Sequence, residues 1–145
     1  MKETFTTSDG VRLAYYVDDY TDPWCSAPTL LMLHSAMSSA KRFYSMVPGL
    51  ARHCRVIRLD SRGHGESEVP PPHVPHSRDR LNQDVLELLD RLGIEGAHIL
   101  GGSAGGYTAQ LLAIHHPQRV KSLVLLSATP GFKGDQGKRW LRESA

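Results

Sequence analysis

With 145 residues and 40% hydrophobic content, the chain holds enough apolar side chain for one domain with a real core and too little length for two. Its formal charge of +2 comes from scattered Lys and Arg, which gives no ground for nucleic acid or an anionic membrane as partner. The polar first ten residues lack a signal-peptide core, and no apolar run nears the ~20 residues that span a bilayer, so a soluble, non-exported, cytoplasmic protein is expected.

Cys25 and Cys54 have no CxxC partner and fit a reduced compartment without disulfides. Thr4-Phe5-Thr6-Thr7 and Arg12 to Val17 are β-rich runs around the turn signal Ser8-Asp9-Gly10, and they read as an antiparallel hairpin. Asp18 to Pro28 is a polar loop. Thr29 to His34 is a continuous apolar run, the pattern of a strand covered on both faces of a parallel sheet. After small residues from Ser35 to Ala40, a helix is expected over Lys41 to Arg52, with Pro48-Gly49 as a potential break.

Arg55 to Asp60 reads as the next strand, closed by a glycine-bearing loop from Ser61 to Ser67. Prolines exclude regular structure through about residue 76. Ser77 or Asp79 caps a helix whose Leu81, Val85, Leu88, Leu89 and Leu92 form one stripe, ended by Gly93. Ala97 to Leu100 is a short strand, Tyr107 to His116 a helix stopped by Pro117, and Val120 to Ala128 a further apolar strand. Beyond Pro130-Gly131 the chain turns polar, with a helix expected from Gly137. This alternation implies an α/β fold, a mostly parallel sheet preceded by an antiparallel pair. Residues 1–130 form the core, and 131–145 begin a lid or a tail.

The chemistry concentrates in Ile99 to Tyr107, where a strand runs into Gly101-Gly102-Ser103-Ala104-Gly105 and then a helix. A serine on a strand-to-helix turn takes a strained backbone, and Gly101 and Gly105 let the two elements approach, the pattern of a nucleophile elbow. The Ala104 amide then lies in the helix's first turn, where N–H groups lack intrahelical partners and favour negative charge. A Walker loop would need Lys followed by Ser or Thr where Tyr107-Thr108 stand, and a dinucleotide fingerprint would want glycine in place of Ser103. A tight glycine turn with an incidental serine is the plain alternative.

Three segments together resemble the amino-terminal half of the α/β-hydrolase family: Leu33-His34-Ser35-Ala36, Asp60-Ser61-Arg62-Gly63-His64-Gly65-Glu66-Ser67, and Gly101 to Gly105. The resemblance runs from about Thr4 to Ala128 and implies strand order 1-2-4-3-5-6 with helices on both faces. It also implies Ser103 as nucleophile, the amides of Ala36 and Ala104 as oxyanion donors, and a small acyl substrate handled without metal or organic cofactor. Ser35 and Gly102 depart from the family's usual glycine and histidine. The first departure and the Arg-Gly-His-Gly loop are similar to enol-lactonases of the 3-oxoadipate type, which makes an ester or lactone the expected substrate.

Serine needs a histidine to take its proton, and in this family the order is Ser, then Asp or Glu, then His. After Ser103 come only His115 and His116, ~18 Å away at the far end of the elbow's own helix. His98 lies ~16 Å back along the strand. His34 and His64 read as loop-shaping residues, and His73 with His76 as a solvated pair lacking a third metal ligand. A strand-helix-strand unit takes ~30 residues, and 17 follow Ala128, so the acid and base of the family are expected outside the sequence. Two readings follow: the nucleophile-bearing half of a serine hydrolase, or a non-catalytic chain, either a truncated relic or a half that pairs with another chain. In either, the strand over 121–127 is expected to present an unpaired apolar edge for self-association or a complementing chain.

Overall fold

A computed structural model of the chain describes residues 1–74 and 76–128. Strands β1 (Lys2–Thr6) and β2 (Arg12–Asp18) pair antiparallel, Phe5 opposite Leu13, through the turn in which Gly10 N–H donates to Thr7 O at 2.9 Å. β2 continues antiparallel onto β4 (Arg55–Leu59), and β3 (Thr29–Leu33), β5 (Ala97–Gly102) and β6 (Val120–Leu126) complete a six-stranded sheet in the order β1-β2-β4-β3-β5-β6. The β3–β4, β3–β5 and β5–β6 pairs are parallel, as the continuous apolar runs imply.

Side chains alternate across the sheet, so each run serves two cores. Leu31, Leu33, Ile57, Leu59 and Ile99 pack on one face with Val85, Leu88 and Leu89 of α2 (Arg78–Arg91) and Ala109 and Leu112 of α3 (Ala104–His115). Met32, Val56 and Leu100 point to the other face and meet Phe43, Val47 and Ala51.

Ser77 caps α2, its Oγ accepting from Arg80 N at 3.1 Å, and Gly93 follows the last turn at φ 65°. The helix expected over Lys41 to Arg52 is instead a 3₁₀ helix, Ala40–Met46, followed by the single turn α1, Val47–Leu50. Pro48 has no N–H to give an earlier carbonyl, so the first helix ends on the Val47 N–H bonded to Tyr44 O, and the proline opens a new turn. At the other end, the strand expected to Ala128 stops at Leu126, because Ser127 turns the chain at φ 51°.

Among the described residues β6 pairs with β5 alone, and Val124, Leu125 and Leu126 are 45%, 41% and 42% exposed. No described helix is long and apolar enough to cross a membrane. The helix expected from Gly137 and the lid or tail over 131–145 lie outside the described residues.

Candidate active site

The carboxyl ends of β3, β4 and β5 gather the three motifs, because Leu33 lies in register with both Leu59 and Gly101. The loops that leave those strands therefore start side by side.

At the elbow, β5 runs two residues further than expected and α3 starts at Ala104 rather than Tyr107, leaving Ser103 as the only connecting residue. Its backbone stands at φ 48° and ψ −111°, outside the basins L-residues favour. The glycines read as loop are helical because this turn presses α3 onto the sheet. A Cβ on Gly105 would lie 2.2 Å from Leu33 O, and one on Gly101 2.6 Å from Gly105 O. Ser103 is exposed, and among the described residues no hydrogen bond engages its hydroxyl. Its N–H donates to Leu126 O at 2.9 Å, which ties the elbow to the end of β6.

Ala36, exposed in the loop after β3, and Ala104, exposed at the head of α3, line one cavity together with Ser35, Gly105, His34, and His64. Ser103 lines the adjoining cavity, and Ser35 borders both. Among the described residues neither the Ala36 nor the Ala104 amide is engaged in a hydrogen bond. Ala104 precedes Tyr107, whose N–H donates to Ser103 O at 3.0 Å as the first bond of the helix.

His34 is committed to the scaffold. Its Nδ1 is 2.8 Å from Ser35 O and its Nε2 accepts from Ser61 N–H at 3.0 Å, which fixes the proton on Nδ1. Burial pushes its imidazole below the usual range and nearby His64 acts in the same direction, while the Ser35 carbonyl opposes both. With its basic nitrogen occupied, His34 holds two loops together and is in no position to serve as a base. His64 stacks beside it, ring centroids 5.2 Å apart, with Nδ1 3.1 Å from Arg62 O. His76 borders the same cavity, His98 Nδ1 meets Ser122 Oγ at 2.7 Å, and His115 ends α3. Among the described residues no histidine is hydrogen-bonded to Ser103.

Two residues inside the second motif carry more than the sequence reading assigned them. The buried Asp60 carboxylate accepts from Ala40 N at 2.6 Å and Glu66 N at 2.9 Å, holding the loops after β3 and β4 in one arrangement. Gly65 is obligatory above it, since a Cβ there would stand 2.3 Å from the carboxylate. Arg62, fully buried, bridges Asp84 of α2 at 2.6 Å and Asp9 of the hairpin turn at 2.8 Å, and Arg80 joins Asp84 at 2.9 Å and Glu87 at 2.7 Å. Burial works against the Arg62 charge, but Asp84 and Asp9 outweigh it and hold the guanidinium above its ordinary range. The signal was present in the sequence as an Asp and an Arg placed at the end of an apolar strand.

A mixed sheet in this order, with a strained serine between β5 and α3 and, among the described residues, unengaged amides after β3 and β5, defines a class. The chain belongs to the α/β-hydrolase fold family, whose sequence profile matches residues 28–142. It is 33% identical to 3-oxoadipate enol-lactonase 2 of Acinetobacter baylyi, covering 96% of this chain and 49% of that protein. It is 34% identical to a fluoroacetate dehalogenase of Burkholderia sp, covering 74% of this chain and 36% of that one. A solved hydrolase from Pseudomonas aeruginosa PA01 superposes with a TM-score of 0.83 at 40% identity, over 99% of this chain and 51% of the other. The chain thus spans about half the length or less of these relatives.

Proposed function

We propose that the protein carrying this chain is a serine hydrolase acting on an ester, lactone or related acyl substrate. The observation that carries the reading is Ser103, exposed in a strained turn directly before Ala104, with the Ala36 amide in the adjoining cavity and, among the described residues, neither its hydroxyl nor these two amides engaged in a hydrogen bond. In this reading Ser103 Oγ attacks the acyl carbon, and the Ala36 and Ala104 amides donate to the oxyanion that forms. Collapse expels the leaving group and leaves an acyl ester on Ser103. Water then hydrolyses that ester. The histidine that takes and returns the proton comes from outside the described residues, and no step calls for a metal or organic cofactor.

Serine chemistry also selects among the activities of the relatives. Displacement of halide from a saturated carbon by a serine would end in an ether, which water does not open, whereas acyl transfer ends in a hydrolysable ester. The resemblance to the enol-lactonase therefore weighs more than that to the dehalogenase. Assays with p-nitrophenyl esters, a lactone and fluoroacetate test this. Ester or lactone turnover removed by Ser103→Ala is expected, without fluoride release. Turnover that survives Ser103→Ala, or fluoride release, would overturn the reading.

A second reading is that the chain is a non-catalytic partner of another chain, docked through β6. It draws on the absence, among the described residues, of a histidine at Ser103. No turnover combined with no covalent adduct at Ser103 would favour it.

A further inference from the structure

The cavity that holds Ser103 carries one ionisable side chain among its described lining residues, Arg42, set with Ser35, Phe43 and Leu126. Three other cations in this part of the sequence are matched with acids: Lys41 with Glu66, Arg52 with Asp22 and Arg58 with Asp18. Arg42 has no carboxylate partner among the described residues. Among the described residues no Asp or Glu lines the cavity to neutralise it.

Its backbone is nonetheless held on both sides. Ala40 N–H donates to Asp60 Oδ1 at 2.6 Å, Arg58 Nη1 donates to Ala40 O at 3.1 Å, and Arg42 N–H itself donates to Ser39 O at 3.1 Å. Phe43, buried, anchors the next residue in the core beneath the sheet. The guanidinium therefore springs from a fixed base beside the nucleophile, and little backbone ordering remains to oppose binding.

We propose that Arg42 is the specificity residue of this site and receives a carboxylate, so that the preferred acyl substrates are anionic, with a carboxylate a short chain away from the ester or lactone carbonyl. A guanidinium presents parallel N–H donors that match a carboxylate in two-point contact, a geometry that a neutral ester end does not satisfy. The apolar walls from Phe43 and Leu126 suit the methylenes between the two groups. The inference rests on the reading of Ser103 as the nucleophile, since the carbonyl must lie at that hydroxyl while the carboxylate lies at Arg42.

The test is an NMR titration of the ¹⁵N-labelled protein that carries this chain with monomethyl glutarate and, in parallel, dimethyl glutarate, following the Arg42 side-chain signal and the amides of Gly102, Ser103 and Ser127. The monoester is expected to shift these signals saturably and to bind about tenfold or more tighter than the diester, with Arg42→Ala reducing it to the diester's level. Arg42 is exposed, so its replacement leaves the fold intact, which circular dichroism checks. Equal binding of the two esters, binding unchanged in Arg42→Ala, or no saturable shift would each overturn the proposal. The reading of Ser103 fails separately. If it alone is wrong, the monoester still binds through Arg42 while covalent probes leave Ser103 unmodified; if the Arg42 proposal alone is wrong, Ser103 is modified and the two esters bind alike.

Discussion

Ser103 and Gly105 are where single residues decide the most. At φ 48° and ψ −111° Ser103 carries strain of ~1–3 kcal/mol, which a glycine would relieve. Glycine's greater freedom in the unfolded chain takes back ~0.5–1 kcal/mol. Ser103→Gly is therefore expected to raise the thermal midpoint by a few degrees, while Ser103→Ala does not, as calorimetry would show. Gly105 gives the opposite sign. Alanine is the better helix former by ~1 kcal/mol, yet its Cβ would fall 2.2 Å from Leu33 O. Gly105→Ala is expected to destabilise by about 3 kcal/mol or more in urea unfolding, and a gain in stability would mean that α3 is not pressed onto β3 as described.

His34 belongs to the same scale and has a pH signature. Its folded imidazole is pushed below the ordinary 6.5, chiefly by burial, so below pH 6.5 the unfolded chain takes up a proton that the folded chain refuses. Its contribution is complete above 6.5 and is lost as pH falls through the folded value. The urea midpoint should fall between pH 7.5 and 5 more steeply in the wild type than in His34→Gln.

At the scale of elements, the hairpin turn, the loop after β4 and helix α2 are joined through Arg62. Arg62→Met would leave Asp84 and Asp9 without the cation they face, and losing one partner of a buried pair costs ~3–5 kcal/mol. Arg80 still faces Asp84, which places the expected loss at the lower end, measured by urea unfolding. The Arg62 bond holds the Asp9 carboxyl well below its usual 3.8, so its stabilisation is present above 3.8 and fades as pH falls below it. That acid-limb slope should shrink in Arg62→Met.

Strands and their order were legible from the sequence because continuous apolar runs admit few arrangements, and the resemblance supplied the crossover. The expected α2 stripe held for the same reason: Val85, Leu88 and Leu89 are buried at helical spacing. The expected first helix broke at Pro48-Gly49, the potential break read from the sequence, because Pro48 removes a donor; what periodicity did not register is that the part before it is 3₁₀. The start of α3 was misplaced because Gly105 and Gly106 look like loop residues until the nearness of Leu33 O shows why no side chain fits. The roles of Asp60 and Arg62 depend on partners far along the chain, Ala40 and Asp84, which no local pattern connects.

For the whole molecule, the sheet is unevenly finished. β1 is a short polar edge, whereas β6 leaves Val124, Leu125 and Leu126 more than two-fifths exposed beside an unpaired strand edge among the described residues. Fully burying one such side chain is worth ~1.5–3 kcal/mol, so covering the two-fifths left exposed on all three gains on the order of 2–4 kcal/mol, a sizeable fraction of a domain's stability of ~5–15 kcal/mol. The 145-residue chain is therefore expected to dimerise or aggregate in a concentration-dependent way, with Val124→Lys reducing the effect. Light scattering coupled to size exclusion reads this directly, and a sharply monomeric species at all concentrations would contradict it.

The central claim is that the fold makes Ser103 unlike other serines of the chain, and covalent labelling with a fluorophosphonate, mapped by mass spectrometry, tests it most directly. The folded protein should carry the adduct on Ser103 alone, faster than the same residue in the urea-denatured chain, and Ser103→Ala should abolish it. Label spread over several serines, or Ser103 reacting at the same rate folded and denatured, would contradict the account.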